Sequence, residues 1–174
     1  MQDYPRLKAK IREIENFPTP GVKFKDITPL LEDPLAFREA IDGLVAIFTN
    51  SGADKVVGID ARGFLLASTV AYFLRSGVVI VRKKGKLPYE KILIDHNLEY
   101  GAGTLEMHVD SVKPGEKILI IDDVLATGGT AEAAARLTEK LGGKIVGLGF
   151  LLELPLGGRD RLKNYEIKSL IKYD

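Results

Sequence analysis

Cysteine is absent from the 174 residues, which removes disulfide cross-links, thiolate chemistry and cysteine-ligated zinc and fits a reducing cytosol. An excess of one charge sign is missing too. The 25 Lys and Arg residues and 24 Asp and Glu residues leave a formal net charge of +1, so there is no general attraction to nucleic acid or membranes, and any basic patch must be local. No apolar run is long enough to span a bilayer, and the opening Met1-Gln2-Asp3-Tyr4-Pro5-Arg6 lacks the apolar core of a signal peptide. A cytoplasmic protein is therefore expected. No internal repeat, low-complexity segment or interdomain linker interrupts the chain. What remains, 45% hydrophobic and 28% charged residues, describes one soluble domain with an ordinary core.

One stretch organises the rest. Ile118, Leu119, Ile120 and Ile121 read as a strand buried on both faces, as in a parallel sheet covered by helices, and such sheets bind ligands at the carboxyl ends of their strands. Asp122 and Asp123 follow, and then Ala126, Thr127, Gly128, Gly129 and Thr130, a loop of small residues that opens a helix over 131–141. Backbone N–H groups of such a loop approach an anion closely, and the helix N-terminus adds about half a positive charge. The two carboxylates would repel a phosphate, so they serve hydroxyls or a cation beside it. A sugar phosphate is the ligand this pattern implies.

Two further strands end in chemistry. Residues 55–60 are a short apolar strand running into Asp60, Ala61, Arg62 and Gly63, and residues 77–81 run into Arg82, Lys83, Lys84, Gly85, Lys86, Leu87 and Pro88. Arg62 either pairs with Asp60 as an ordinary surface ion pair or grips phosphate through its planar fork. The cations of 82–86 are ordinarily a solvated loop, but in a parallel sheet all three strand ends converge on one edge.

The remaining segments are less specific. Leu7, Ile11 and Ile14 predict an amphipathic helix over 4–17. Three prolines and a glycine exclude regular structure from most of 17–29; the residues alone favour a connector, while an ordered loop carrying Phe24 between Lys23 and Lys25 also suits a planar ligand. Asp33-Pro34 starts a helix as N-cap and first helical residue. Between Lys91 and Asp110 the period becomes two, predicting a hairpin with Gly101-Ala102-Gly103 at its tip, able to move as a flap. Glu99, His96 and His108 fall to solvent on that reading, and Glu106 alternates with the apolar Leu105 and Met107. A long buried strand over 144–154 ends at Leu154, either core or an apolar wall for a ligand, and 166–172 form a last strand.

The strand, acidic pair and Thr-Gly-Gly-Thr loop of 118–130 resemble the motif by which type I phosphoribosyltransferases bind 5-phosphoribosyl-1-pyrophosphate (PRPP). No Walker loop and no dinucleotide glycine fingerprint competes with that match. The runs Phe17-Pro18-Thr19-Pro20-Gly21-Val22, Asp26-Ile27-Thr28, Ala61-Arg62-Gly63-Phe64, Gly85-Lys86-Leu87-Pro88 and Leu98-Glu99-Tyr100-Gly101, with Phe24 and Arg82-Lys83, are similar to the adenine phosphoribosyltransferase branch over about 17–154. The resemblance implies one α/β domain over 1–174, a mostly parallel central sheet flanked by helices. It adds an N-terminal helix and base-binding hood loop (1–34) and an inserted flap hairpin (88–110).

The implied reaction joins adenine to PRPP, with Mg²⁺ bound mainly through PRPP, giving AMP and pyrophosphate, and the implied assembly is a homodimer. In that scheme Ala126, Thr127, Gly128, Gly129 and Thr130 hold the 5′-phosphate, and Asp122 and Asp123 the ribose hydroxyls. Asp60, Ala61, Arg62, Arg82, Lys83 and Lys86 surround the pyrophosphate. Val22, Lys23, Phe24, Lys25 and Leu154 form the adenine site, with Phe24 stacking on the purine, while Glu99 and Tyr100 close over the reactants. Lys25 stands where the family usually has arginine, keeping the charge without the planar fork. Transfer to another purine and a non-catalytic PRPP-binding regulator are the competing readings.

Overall fold

The computed structural model describes residues 4–98 and 101–173. The N-terminal segment departs from the single helix expected. Helix α1 (Pro5–Ala9) is short and buries Leu7, and the chain then forms strand β1 (Arg12–Glu15), antiparallel to β2 (Lys23–Asp26). The charges explain the change. Register sets Arg12 opposite Asp26 and Glu13 opposite Lys25, so charges that would be solvated on a helix become cross-strand ion pairs, with Lys23 also beside Glu13, while Ile14 faces Phe24. The proline-rich stretch accordingly carries regular structure at its end, and the two strands form a small sheet of their own.

Helices α2 (Thr28–Glu32) and α3 (Pro34–Phe48) follow, the latter capped by Asp33, whose carboxylate accepts the Leu35 and Ala36 N–H groups at 3.0 Å each. The main body comprises β3 (Lys55–Ile59), α4 (Gly63–Leu74), β4 (Gly77–Lys83), β5 (Lys91–Leu98), β6 (Gly101–His108), β7 (Lys117–Leu125), α5 (Gly129–Lys140), β8 (Lys144–Glu153), α6 (Gly158–Arg161) and β9 (Ile167–Lys172). Its seven strands lie in the order β5-β6-β4-β3-β7-β8-β9. From β4 to β9 the pairing is parallel, and β5 and β6 add an antiparallel edge.

Both faces of the parallel part are covered, which is why its strands read as unbroken apolar runs. On one face Val56, Leu119 and Ile121 pack with α3 and α4 side chains such as Leu44, Leu66 and Val70; on the other Val57, Ile59, Ile118, Ile120 and Phe150 pack with Ala134 and Leu137 of α5.

The hairpin belongs to this sheet. Arg82 pairs with Glu106 and Lys83 with Leu105, so the first two basic residues lie in a strand, and Ile94, Leu105 and Met107 are buried on the α5 side. Leu98 pairs with Gly101, which places Gly101 and Gly103 inside β6 where the sequence suggested a tip. Glu106, which alternates with the apolar Leu105 and Met107, is itself fully buried.

Candidate active site

Parallel pairing aligns the ends of β3, β4, β7 and β8, with Ile59 beside Val81, Gly58 beside Ile121 and Leu125 beside Glu153. The predicted loops therefore do meet at one edge. Across it the ion pairs are exchanged relative to the simplest reading of the sequence: Arg62 Nε donates to Asp123, and Arg82 Nε donates to Asp60 at 3.2 Å. Strand order is the cause, because β3 lies between β4 and β7 and each arginine reaches across to a neighbour. Arg62 also lies over Phe24, its Cζ 5.1 Å from the ring centroid, and Phe17 meets Phe24 edge-on at 5.1 Å. One guanidinium thus touches the aromatic ring of the hood and an acid of β7.

Asp122 and Asp123 are both buried, and the Asp123 N–H donates to Asp122 Oδ1 at 2.9 Å. Burial first, and then the charge of Asp123, push the Asp122 carboxyl well above the usual range. Gly63 opens α4 against Asp122: a Cβ there would sit 2.5 Å from Asp122 Oδ1, so glycine is what lets helix and acid approach.

The small-residue loop runs from the end of β7 into α5, which begins at Gly129, two residues earlier than expected, after Gly128 in a left-handed conformation (φ 80°). No described side chain caps α5, so the N–H groups of its first turn face the loop side. Gly158 of α6 supports the loop from behind, its added Cβ falling 2.4 Å from Ala126 O and 3.1 Å from Gly128 N. Leu154 adjoins the same place, its N–H donating to Leu125 O at 2.8 Å.

Lys83, Lys84 and Lys86 form no ion pair with any described residue, so beside the Arg82–Asp60 pair the edge carries uncompensated positive charge. The hood lysines differ. Lys25 Nζ pairs with Glu13 and lies 4.3 Å from the Tyr173 ring centroid, and Lys23 Nζ is 3.4 Å from Glu13, both on the side of β2 opposite Phe24. Val22 is held in a turn, its N–H donating to Thr19 O at 3.3 Å. Glu99 and Tyr100 lie outside the described residues. The partners of Glu106 and the support from Gly158 escaped the sequence, where a strand glutamate and a Gly-Gly turn carry no mark of what packs against them.

A phosphoribosyl transferase domain model matches residues 30–172. An adenine phosphoribosyltransferase of Caldicellulosiruptor bescii is 49% identical over 97% of this chain and 97% of its own. The chain belongs to the adenine phosphoribosyltransferase family. The crystal structure of the adenine phosphoribosyltransferase of Rhodothermus marinus superposes with a TM-score of 0.92 at 48% identity, covering 97% of each chain. That of Saccharomyces cerevisiae, complexed with an imino-altritol bisphosphate and adenine, superposes with a TM-score of 0.88 at 36% identity over 95% of this chain and 97% of that one. Family membership and the separation of acids, small-residue loop and cations along one edge agree.

Proposed function

We propose that the protein transfers the 5-phosphoribosyl group of PRPP to adenine, giving AMP and pyrophosphate in purine salvage. The observation that carries this reading is the ordering of charge along the sheet edge. Cations with no ion pair among the described residues stand at and after the end of β4, two buried carboxylates at the end of β7, and a loop of small residues with no described side-chain cap at the start of α5.

The chemistry needs that order. As the bond from the anomeric carbon to pyrophosphate breaks and the bond from a purine ring nitrogen forms, the ribose gains positive charge and the leaving group negative charge. Asp122 and Asp123 bind the ribose hydroxyls and stabilise the sugar cation. Arg62, Arg82, Lys83 and Lys86, with Asp60 and Ala61 shaping the turn, receive the pyrophosphate. Ala126 to Thr130 hold the 5′-phosphate. Phe24 stacks on adenine once Arg62 swings to the diphosphate, Val22 and the backbone of Lys23 and Lys25 border the base, and Leu154 walls it. Glu99 takes the proton lost from the imidazole ring of adenine, and Tyr100 helps exclude water that would hydrolyse PRPP.

Among the described residues no cluster of three or more His, Asp or Glu side chains is arranged to hold a metal by itself. Mg²⁺ keeps several waters and binds through one or two carboxylates plus phosphates. Asp122 and Asp123 would receive it with PRPP, and it would neutralise charge on the diphosphate.

Leu65, Tyr72 and Phe73 of α4 and Val78 and Ile80 of β4 are exposed, Tyr72 by 78%, on the same side of the sheet. This apolar face supports a homodimer and continues along β4 to Arg82, so the partner would sit beside the pyrophosphate loop. No described helix is long and apolar enough to cross a membrane, and the cysteine-free composition supports a cytoplasmic enzyme.

The test is a panel of adenine, hypoxanthine, guanine and xanthine with PRPP and Mg²⁺, following pyrophosphate release. Adenine should be the good substrate. Equal turnover of hypoxanthine would overturn the base assignment, and PRPP binding without turnover of any base would indicate a regulator. Sedimentation should show a dimer that Tyr72→Asp with Phe73→Asp disperses; a monomeric wild type would sink that part.

A further inference from the structure

A fully buried carboxylate on β6 has no part in the reaction as derived so far. Glu106 accepts the N–H groups of three successive residues: Lys86 at 2.7 Å and Leu87 at 2.6 Å on Oε1, and Gly85 at 3.0 Å on Oε2. Lys91 Nζ is 3.5 Å from Oε2. Consecutive N–H groups that converge in this way form a concave anion site. Here the protein's own carboxylate occupies it, so the backbone of the basic loop is turned inward while Lys84 and Lys86 are exposed and Leu87 is buried. Gly85 makes the reversal, at φ 85° with nothing within 4 Å of an added Cβ. The other end of the Lys86 peptide is held as well, its carbonyl accepting from Arg82 Nη1 at 3.3 Å. Both faces of this one peptide are therefore fixed, from β6 and from β4.

We propose that Glu106 is a positioning residue for pyrophosphate. It clamps the 85–87 backbone so that the Lys86 ammonium is held at the strand edge before PRPP arrives. The proposal rests on the reading of Lys83 and Lys86 as pyrophosphate ligands. Its physical content is preorganisation: a loop of cations repels itself and would otherwise spread, and ordering it on binding would cost affinity. Burial raises the carboxyl pKa, but the three N–H groups and Lys91 lower it further, so the clamp stays ionised at neutral pH.

Glu106→Gln keeps the shape but turns an N–H₂ group toward at least one backbone donor, so it cannot accept all three bonds. In the intact protein it should raise the KM for PRPP and weaken pyrophosphate binding by about tenfold, a typical loss for charge-assisted hydrogen bonds. AMP, which does not use this loop, should bind within about twofold of wild type, and kcat should change little. In a Lys86→Gln background the further effect of Glu106→Gln on pyrophosphate affinity should vanish, because the side chain it positions is gone. Equal weakening of AMP and pyrophosphate, unchanged pyrophosphate affinity, or additive losses in the double variant would each overturn the proposal.

Should Glu106→Gln fail to fold, amide hydrogen exchange on the wild type decides. The Gly85, Lys86 and Leu87 amides should be protected without any ligand, and rapid exchange would refute the clamp. A wild type that turns over adenine but binds no pyrophosphate would instead count against Lys83 and Lys86 as ligands, and lack of any turnover against the function itself.

Discussion

Replacing Gly158 with alanine should weaken ligand binding at a loop to which Gly158 itself does not belong. The new Cβ would fall 2.4 Å from Ala126 O, 2.7 Å from Leu125 Cδ1 and 3.1 Å from Gly128 N. Ordinary contact is roughly 1 Å longer than the first of these. Leu125 can rotate, but Ala126 O and Gly128 N are backbone atoms of the proposed phosphate loop, so relief of the clash must move the loop or α6. Overpacking of this kind costs about 1 to 3 kcal/mol. If the loop yields, that cost appears as a loss of AMP affinity of roughly 5- to 150-fold. Titration calorimetry with AMP measures it. Gly157→Ala is the matched control, because Gly157 has φ 80° but nothing within 4 Å of its Cβ position. That variant should lose stability, by roughly 1 to 2 kcal/mol for the left-handed backbone, while AMP affinity stays near wild type. Wild-type AMP affinity in Gly158→Ala, or equal losses in both variants, would refute the reasoning.

Lys25→Arg should leave the preference for adenine over hypoxanthine unchanged within about twofold, because the Lys25 side chain is engaged by Glu13 and Tyr173 on the far side of β2 from Phe24. A changed ratio of kcat/KM values would show that the side chain reads the base. Asp26 should contribute to acid stability. The Thr28 hydroxyl, and after it the Arg12 guanidinium, outweigh burial and lower its carboxyl to about 2. A group with a depressed native pKa stabilises fully above its unfolded value, near 4, and loses that contribution as pH falls toward about 2. The Tm gap between wild type and Asp26→Asn should therefore shrink over that window, and a gap independent of pH would contradict the assignment.

What the sequence disclosed depended on the range over which each signal acts. Asp33-Pro34 was legible because a cap and its N–H partners lie within three residues. Residues 118–121 were legible because burial on both faces leaves no polar position to alternate. The loops after β3, β4 and β7 could be brought together because parallel strands end on one side. Failures came where the deciding partner was distant in sequence. Arg12 to Glu15 carry charges that fit either a helix surface or a strand, and only their partners between Lys23 and Asp26 choose the strand. Alternation placed Glu106 correctly opposite Leu105 and Met107, yet could not reveal that the loop of 85–87 folds over that face. The exchange of arginine partners required the strand order itself.

The separation of the hood sheet from the main sheet divides tolerance within the protein. The cations of β4 and the acids of β7 are two strand spacings apart, roughly 10 Å, a length set by backbone hydrogen bonds and insensitive to side-chain exchange. Strands β1 and β2 share no ladder with that ruler. Insertions or substitutions in the hood can thus reshape the cavity around Phe24 without altering the span across which a phosphorylated sugar is stretched. Choice of base and geometry of transfer meet chiefly where Arg62 lies over Phe24, and a designer wishing to redirect this scaffold toward a different heterocycle has the hood strands and their connection, residues 12–26, in which to work before reaching Ile27 and Leu30, buried in the core beneath the main sheet.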